Sequence, residues 1–179
     1  MSLVGFKAQN HPQQVGVAGA KEPVDDRGTD PEFFERMNRK FHFTLDVAAS
    51  ERNAKCSRYF TIDDDGLAQS WAGERVWCNP PYSDIRPWVE KAWAERATTN
   101  DIVMLLPANR CEQRWWQDLV ERYRDLPSTP LAVLFLPGRM RFILTGHDAI
   151  KPNQRPPFGC CLLYWRGADW DGRGRPLLR

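Results

Sequence analysis

Residues 76–83 read VWCNPPYS, and this stretch constrains the fold more than any other part of the sequence. An apolar run is followed at once by an amide, two prolines and an aromatic ring. Proline has no N–H and pushes the preceding residue toward extended geometry, so the run predicts a strand that ends in stiff backbone. In open α/β sheets ligands bind at the carboxyl ends of strands. The stretch therefore predicts a ligand site, followed by a helix that Ser83 or Asp84 caps.

Strands and helices alternate through the middle of the chain. Thr29 and Glu32 stand at capping-box spacing before a first helix, and further helices are predicted at residues 84–97 and 112–123. The predicted strands are residues 43–48, 76–78, 102–106, 131–136 and 158–165, and residues 57–61 are predicted to form a short extended piece. Their apolar interiors predict an α/β fold with a mainly parallel sheet covered on both faces. The last two strands have no helix between them, which predicts an antiparallel C-terminal hairpin.

The length of 179 residues fits one domain. Residues 1–28 are predicted to be a loosely packed N-terminal tail, residues 29–166 the folded domain, and residues 167–179 a basic C-terminal tail. The net charge of +2 is nearly balanced, so a surface that binds nucleic acid would have to be local. The sequence has no apolar run of membrane-spanning length and no signal-peptide core, which predicts a cytoplasmic protein.

The residue types that bind metals do not form a metal-binding pattern. The five cysteines include no Cys-x-x-Cys pair, which favours reduced thiols over zinc or a disulfide framework. His147 has no acid or cysteine at ligand spacing. Asp63, Asp64 and Asp65 lack the alternation of a calcium loop and are typical of a solvated turn or a helix cap. We therefore predict no metal site.

Two acids are candidate binding residues. Asp46 stands near the end of an apolar strand, where a carboxylate is costly unless it is paired or lies at a rim. The residues after it, Ala48 to Ser50, are small enough for a ligand to approach the backbone. Asp65 differs from the two acids before it, because the Gly66-Leu67 pair that follows fixes its local structural environment.

The motif at residues 79–82 resembles the (Asp/Asn)-Pro-Pro-(Tyr/Phe/Trp) motif of S-adenosylmethionine-dependent methyltransferases that act on exocyclic or planar amide nitrogens. Other blocks, in order, extend the resemblance over roughly residues 29–165 to the phage-type DNA N6-adenine methyltransferases. They are FTLDVAA at 43–49, NAKC at 53–56, YFT at 59–61, DGL at 65–67 with Trp71, and GRMRF at 138–142. The resemblance implies a Rossmann-like methyltransferase fold and transfer of a methyl group to a flipped adenine in DNA.

The resemblance also implies residue roles. It implies a catalytic site of Asn79, Pro80, Pro81 and Tyr82, in which the Asn79 and Pro80 oxygens accept from the adenine amine and Tyr82 stacks on the base. It implies contacts to S-adenosylmethionine from Asp30, Pro31, Asp46, Ala48, Ser50, Asp65 and Leu67. It implies DNA contacts from Arg139, Arg141, Lys151, Asn153 and Arg155. Helix capping is the alternative for Asp30, and a solvated side chain is the alternative for each arginine.

The chain departs from the wider methyltransferase pattern in three ways. Residues 48–50 stand where a Gly-rich first motif is common, one strand–helix unit between Asp46 and Asn79 is shortened or missing, and no large recognition domain fits. Other nitrogen targets remain as alternatives, namely cytosine N4, a guanine in RNA, or a glutamine amide in a protein. A non-catalytic DNA-binding relative is a further alternative, against which the intact Asn-Pro-Pro-Tyr motif argues.

Overall fold

The computed structural model describes residues 25, 27–144, 147, 149, 150, 156 and 158–168. The strands are β1 (Gly28–Thr29), β2 (Leu45–Asp46), β3 (Arg58–Tyr59), β4 (Arg75–Cys78), β5 (Asp101–Pro107), β6 (Leu131–Phe135), β7 (Phe142–Ile143) and β8 (Cys160–Arg166). The helices are α1 (Pro31–Phe41), α2 (Arg86–Glu95) and α3 (Arg114–Trp116), and α3 runs directly into a π-helical stretch, Gln117–Glu121. None of the helices in the described ranges has the length and apolar composition needed to cross a membrane.

A six-stranded sheet in the order β3-β2-β4-β5-β8-β6 forms the centre of the described chain. The pairings among β3, β2, β4 and β5 are parallel, and β8 pairs antiparallel with both β5 and β6. The prediction of a mixed α/β fold with a mostly parallel sheet is thus confirmed, as is the antiparallel pairing of the last two predicted strands. Residues 47–74 hold β3 and a series of turns but no helix, at the place where a shortened unit was expected.

Both faces of the sheet are covered, because alternate strand residues point to opposite sides. On one side, Val76, Ile102 and Met104 pack with residues of α2 and α3. On the other side, Trp77 and Val103 pack with the apolar stripe of α1. The helices therefore pack against the two faces of the sheet.

Helix capping differs from the prediction in two places. Asp30, not Thr29, is the N-cap of α1, because its carboxylate accepts from the Glu32 N–H at 3.0 Å. Thr29 is instead buried in β1, opposite Phe142. At α2 the N-cap is Ile85 and makes no side-chain cap, so the predicted capping by Ser83 or Asp84 is wrong.

The helix predicted at residues 112–123 is shorter, and its second half is a π-helical stretch. Its apolar stripe is only partly buried, since Tyr123 is 38% exposed while Trp116 and Val120 are buried. The wider turn places the Leu119 carbonyl where it accepts from the indole N–H of Trp93 at 2.8 Å. A side-chain donor from α2 thus bonds to this part of the backbone.

A short strand lies at the expected boundary between the N-terminal tail and the folded domain. β1 and β7 form a separate two-stranded antiparallel sheet, with Gly28 opposite Ile143. Neither strand was predicted, because two residues are too few to show an alternating pattern. This small sheet brings the segment before α1 to the predicted site.

Candidate active site

Three parallel strands bring polar residues to one edge of the sheet, and two of these residues, Asp46 and Asn79, are predicted site residues. Asp46 ends β2, Asn79 follows β4, and Arg110 lies three residues beyond the end of β5. Asp46 is paired with Trp77 on β4, so the exits of these two strands are neighbours. Polar side chains from consecutive strand exits therefore converge where α/β sheets bind ligands.

Asn79 is held at both ends of its side-chain amide. Its Nδ2 donates to the main-chain carbonyl of Arg27 at 2.9 Å, and its Oδ1 accepts from the Tyr82 hydroxyl at 3.0 Å. A main-chain carbonyl can only accept, so the Arg27 contact requires the amide nitrogen and turns the amide oxygen toward Tyr82. Because an amide oxygen has two lone pairs, Oδ1 can accept a second hydrogen bond.

Tyr82 is fixed by its ring, its hydroxyl and its backbone. Its ring makes edge contacts with Phe142 and Phe158, at centroid distances of 6.3 and 6.1 Å. Its carbonyl accepts from Nη1 of Arg110 at 2.7 Å. Burial raises the pKa of the Tyr82 hydroxyl well above its usual range. The hydroxyl therefore keeps its proton near neutral pH and stays a donor to Asn79.

The two prolines form the rigid part of the turn. Pro80 is buried and Pro81 is partly buried. The Pro81 carbonyl accepts from the Asp84 N–H at 3.4 Å, whereas no described residue donates to the Pro80 carbonyl. The Ser83 N–H donates to the carboxylate of Asp25 at 3.0 Å. The Pro80 carbonyl is thus an acceptor available beside the Asn79 oxygen.

Asp46 is a buried carboxylate, 3% exposed, at the end of β2. Its two oxygens accept from main-chain N–H groups, at 3.0 Å from Lys55 and at 3.4 Å from Ala48. Burial raises its pKa to about 6, although both N–H bonds and the charge of Lys55 act in the opposite direction. The side chain thus ties together the two ends of the loop that begins at Ala48.

Asp65 and Leu67 are brought to this loop by close backbone packing. A Cβ atom on Gly66 would lie 2.2 Å from the Val47 carbonyl oxygen, so only glycine permits this approach. Asp65 is exposed, adopts a left-handed conformation with φ 52°, and accepts from the Leu67 N–H at 3.2 Å. The Gly66 carbonyl is anchored by the buried indole N–H of Trp71 at 2.9 Å.

The remaining predicted cofactor residues lie around the same loop. Asp30 caps α1, which is the alternative that the sequence left open, and Pro31 begins that helix. Burial lowers the pKa of Lys55, and the nearby charges of Asp46 and Asp30 oppose this shift. Lys55 therefore links Asp30 electrostatically to Asp46. The Ser50 N–H donates to Oδ1 of Asn53 at 2.7 Å.

The predicted DNA-binding residues are placed only in part. Arg139 and Arg141 are exposed and immediately precede β7. The first residue of that strand, Phe142, contacts the Tyr82 ring, so this cationic segment borders the motif. The other predicted residues, Lys151, Asn153 and Arg155, lie outside the described residues.

Three residues that the sequence did not single out contact the motif, namely Asp25, Arg27 and Arg110. Arg110 follows a predicted strand that ends in proline, so its position at a strand exit was a usable signal. Arg27 contributes only its carbonyl to Asn79, and a main-chain contact leaves no residue-type signal. In the part of the chain that the structure describes, no three His, Cys, Asp or Glu side chains form a group that could hold a metal.

Comparisons with known proteins support one family. The model of the family described as DNA N-6-adenine-methyltransferase (Dam) matches residues 18–169. The chain is 30% identical over 84 residues to the DNA N-6-adenine-methyltransferase of Haemophilus phage HP1, which covers 47% of this chain and 49% of that protein. It is 40% identical over 68 residues to the enzyme of the same name from Escherichia phage T1, which covers 37% of this chain and 29% of that protein. These two alignments span about half, or less, of the length of the relatives. The family model, in contrast, matches most of this chain. The chain therefore belongs to the DNA N-6-adenine-methyltransferase family.

Proposed function

We propose that this protein transfers a methyl group from S-adenosylmethionine to the exocyclic N6 amine of adenine in DNA. The observation that carries the proposal is the orientation of the Asn79 amide, whose nitrogen donates to the Arg27 carbonyl and whose oxygen accepts from the hydroxyl of Tyr82 in the same motif. That oxygen lies at the carboxyl end of the central strand β4, in a motif shared with the family. The family match and the phage relatives named above favour DNA adenine over other nitrogen targets.

The adenine amine is a poor nucleophile because its lone pair is delocalised into the ring. Two hydrogen-bond acceptors make the amine more nucleophilic when they bind its two N–H groups, because they favour a pyramidal nitrogen. The Asn79 Oδ1 and the Pro80 carbonyl are suited to this role, since each has a lone pair to offer. Neither is a strong base, so the proton leaves the amine for solvent water during or after methyl transfer. Pro81 stiffens the turn that holds both oxygens.

Adenine inside a duplex cannot reach this edge of the sheet, so the base has to flip out. Flipping costs a few kcal/mol of lost stacking and pairing. Stacking on an aromatic side chain returns roughly 1–3 kcal/mol, and Tyr82 is the ring assigned to that contact. Phe142 and Phe158 pack edge-on against the Tyr82 ring.

The residues around β2 are chemically suited to S-adenosylmethionine, which supplies the methyl group when bound. Its ammonium and hydroxyl groups call for acceptors, and three acids lie around this loop, Asp30, Asp46 and Asp65. The small residues Ala48 and Ser50 leave the backbone accessible, and Leu67 offers an apolar contact for a planar ring. Pro31 begins the helix that Asp30 caps. The proposal includes a Rossmann-like methyltransferase fold. Asp46 mainly shapes the loop, and Asp65 contacts the cofactor directly.

The DNA backbone is assigned to the segment around β7. Arg139 and Arg141 are exposed beside the motif, and Lys151, Asn153 and Arg155 are assigned to the same interface from the sequence. Phosphate contacts give affinity and salt dependence, and only contacts to base edges give sequence choice. We place the reaction in the cytoplasm and assign no role to a metal ion.

The substrate class is tested by incubating the protein with labelled S-adenosylmethionine and, separately, unmethylated DNA, RNA and protein. Nucleosides and amino acids from each product are then separated. The proposal predicts label in N6-methyladenine from DNA. Label in N4-methylcytosine, in RNA or in protein glutamine would contradict it, and binding of DNA without any methyl transfer would favour a non-catalytic relative.

A further inference from the structure

We propose that the main-chain carbonyl of Arg27 orients the Asn79 amide and makes this site require Asn, rather than Asp, at position 79. The inference rests on the proposed function, because it concerns the group that accepts from the target amine. Arg27 is a positioning residue, since its carbonyl accepts from Asn79 and is not itself one of the two acceptors assigned to the amine. The motif tolerates either residue across methyltransferases, so the requirement would be a property of this site.

The Arg27 carbonyl is held in place from both sides. After it, β1 pairs with β7, and Thr29 is buried opposite Phe142. Before it, the carboxylate of Asp25 accepts from the Ser83 N–H in the motif turn. The segment is therefore attached to the turn at one end and to β7 at the other, which limits how far the Arg27 carbonyl can move.

A carboxylate at position 79 would present an oxygen where the amide now presents an N–H. Two acceptors would then face each other across the 2.9 Å that separates Nδ2 from the Arg27 carbonyl. A protonated carboxyl restores the pattern, because its O–H donates to Arg27 and its other oxygen accepts from the Tyr82 hydroxyl and the target amine. The variant Asn79→Asp should therefore function while the introduced carboxyl keeps its proton, and fail as the pH rises.

The groups around position 79 do not reproduce this pH dependence. Four of them have their pKa values raised out of the neutral range by burial, namely Tyr82, Cys78, Cys160 and Cys161. The nearby cations are Arg27 and Arg110, and Asp25 binds the Ser83 N–H. Asp46, with its pKa raised to about 6, lies on the adjacent strand β2 and titrates in both proteins. The ratio of variant to wild-type activity therefore isolates the introduced carboxyl.

The test measures initial rates of DNA methylation by wild type and Asn79→Asp between about pH 5 and about pH 8, a range that covers a raised carboxyl pKa. The proposal predicts that the variant-to-wild-type ratio falls at least about tenfold across this range, equivalent to ~1.4 kcal/mol. A ratio that is constant or rises with pH overturns the proposal. If wild type is active and the variant-to-wild-type activity ratio does not change with pH, only this inference fails and the proposed function remains supported. If wild type itself does not methylate DNA, the proposed function fails.

A stability measurement decides the inference without relying on activity. An introduced carboxyl whose folded-state pKa is raised destabilises the variant as the pH rises through the window between its unfolded and folded pKa values. In urea unfolding, Asn79→Asp should therefore be less stable than wild type, and the difference in the free energy of unfolding should be larger at about pH 8 than at about pH 5. An equal deficit at both values, or failure to fold at both, overturns the proposal.

Asn38→Asp is the matched control. The Asn38 side chain uses its oxygen, since Oδ1 accepts from the Phe43 N–H at 2.8 Å. A carboxylate accepts that bond equally well, so this variant should show no deficit that grows with pH. If Asn38→Asp lost as much stability with rising pH as Asn79→Asp, the pH dependence could not be assigned to the Arg27 carbonyl, and the proposal would be overturned.

Discussion

Gly66 lies so close to Val47 that a Cβ atom on it would sit 2.2 Å from the Val47 carbonyl oxygen. The contact is between two backbone segments, so neither can yield as the end of a flexible side chain would. It presses the acidic loop of Asp65 and Leu67 against the end of β2, next to Asp46. The two halves of the proposed cofactor site therefore depend on one glycine.

Gly66→Ala should separate these segments and weaken the binding of S-adenosylmethionine. We expect a loss of about 1–3 kcal/mol in the free energy of unfolding, as for other overpacked sites. Urea unfolding and calorimetric titration with S-adenosylmethionine measure the two effects. Gly159→Ala is the matched control, because the nearest atom to its added Cβ lies 3.8 Å away, at ordinary contact distance. Wild-type cofactor affinity in Gly66→Ala would contradict this account.

Some parts of this site were predictable from the sequence because they follow from residue chemistry. Two prolines after an apolar run predict a strand exit, and the structure ends β4 at Cys78, directly before Asn79. The carboxylate of Asp46 near a strand end also stood out. What the sequence did not reveal was how Asp46 is satisfied, because its partners are main-chain N–H groups of Ala48 and Lys55.

Other parts depended on tertiary contacts that local patterns do not encode. Thr29 has the spacing of a capping residue, but pairing with β7 buries it, and the next residue, Asp30, caps α1 instead. The Arg27 carbonyl reaches Asn79 across 52 positions in the sequence, through an atom that every residue type has. Arg110, in contrast, follows a strand exit of the same kind as the motif and could have been predicted by the same argument.

Asp46 should make stability depend on pH in a direction opposite to that of most carboxylates. Its pKa is raised from 3.8 to about 6 in the folded state, so folding favours the protonated form. The contribution of Asp46 to the free energy of unfolding is fully present below pH 3.8 and is lost as the pH rises through about 6. At 1.36 kcal/mol per pKa unit, the loss amounts to about 3 kcal/mol. Comparing urea unfolding of wild type and Asp46→Asn from about pH 4 to about pH 7 isolates this contribution.

Asp64→Asn provides a comparison of opposite sign. Bonds from the Thr61 N–H and hydroxyl lower the pKa of the Asp64 carboxyl, so its contribution is lost as the pH falls. The stability of wild type relative to Asp46→Asn should fall as the pH rises. If it does not, the raised pKa assigned to Asp46 is contradicted.

The Tyr82 hydroxyl and the Tyr82 ring should make separable contributions. Tyr82→Phe removes the donor to Asn79 Oδ1 and keeps the ring, so we expect a loss of about 1 kcal/mol, several-fold in kcat/KM. Tyr82→Ala also removes the stacking face, worth roughly 1–3 kcal/mol per base, and should lose considerably more. Methylation rates on single-stranded and duplex DNA measure both. Equal losses in the two variants would count against stacking by the ring.

Arg110 should act on catalysis by holding the backbone of the motif turn. Its Nη1 donates to the Tyr82 carbonyl at 2.7 Å, and Arg110→Met removes this bond while keeping an apolar stem of similar length. We expect about a tenfold fall in kcat, corresponding to ~1.4 kcal/mol, with KM for DNA changed less. Arg114→Met is the control, since that side chain is 88% exposed on α3. A change confined to KM would indicate a DNA contact instead.

The central claim, that the Asn79 oxygen accepts from the target amine, is tested most directly by measuring N6-methyladenine in DNA after a single turnover. Wild type, Asn79→Ala and Asn100→Ala are compared, since the Asn100 amide bonds to the Gly73 carbonyl at the opposite end of β5. The account predicts that wild type and Asn100→Ala form N6-methyladenine and that Asn79→Ala loses at least about a hundredfold in rate, or ~2.7 kcal/mol. A folded Asn79→Ala protein that forms N6-methyladenine at the wild-type rate would contradict it.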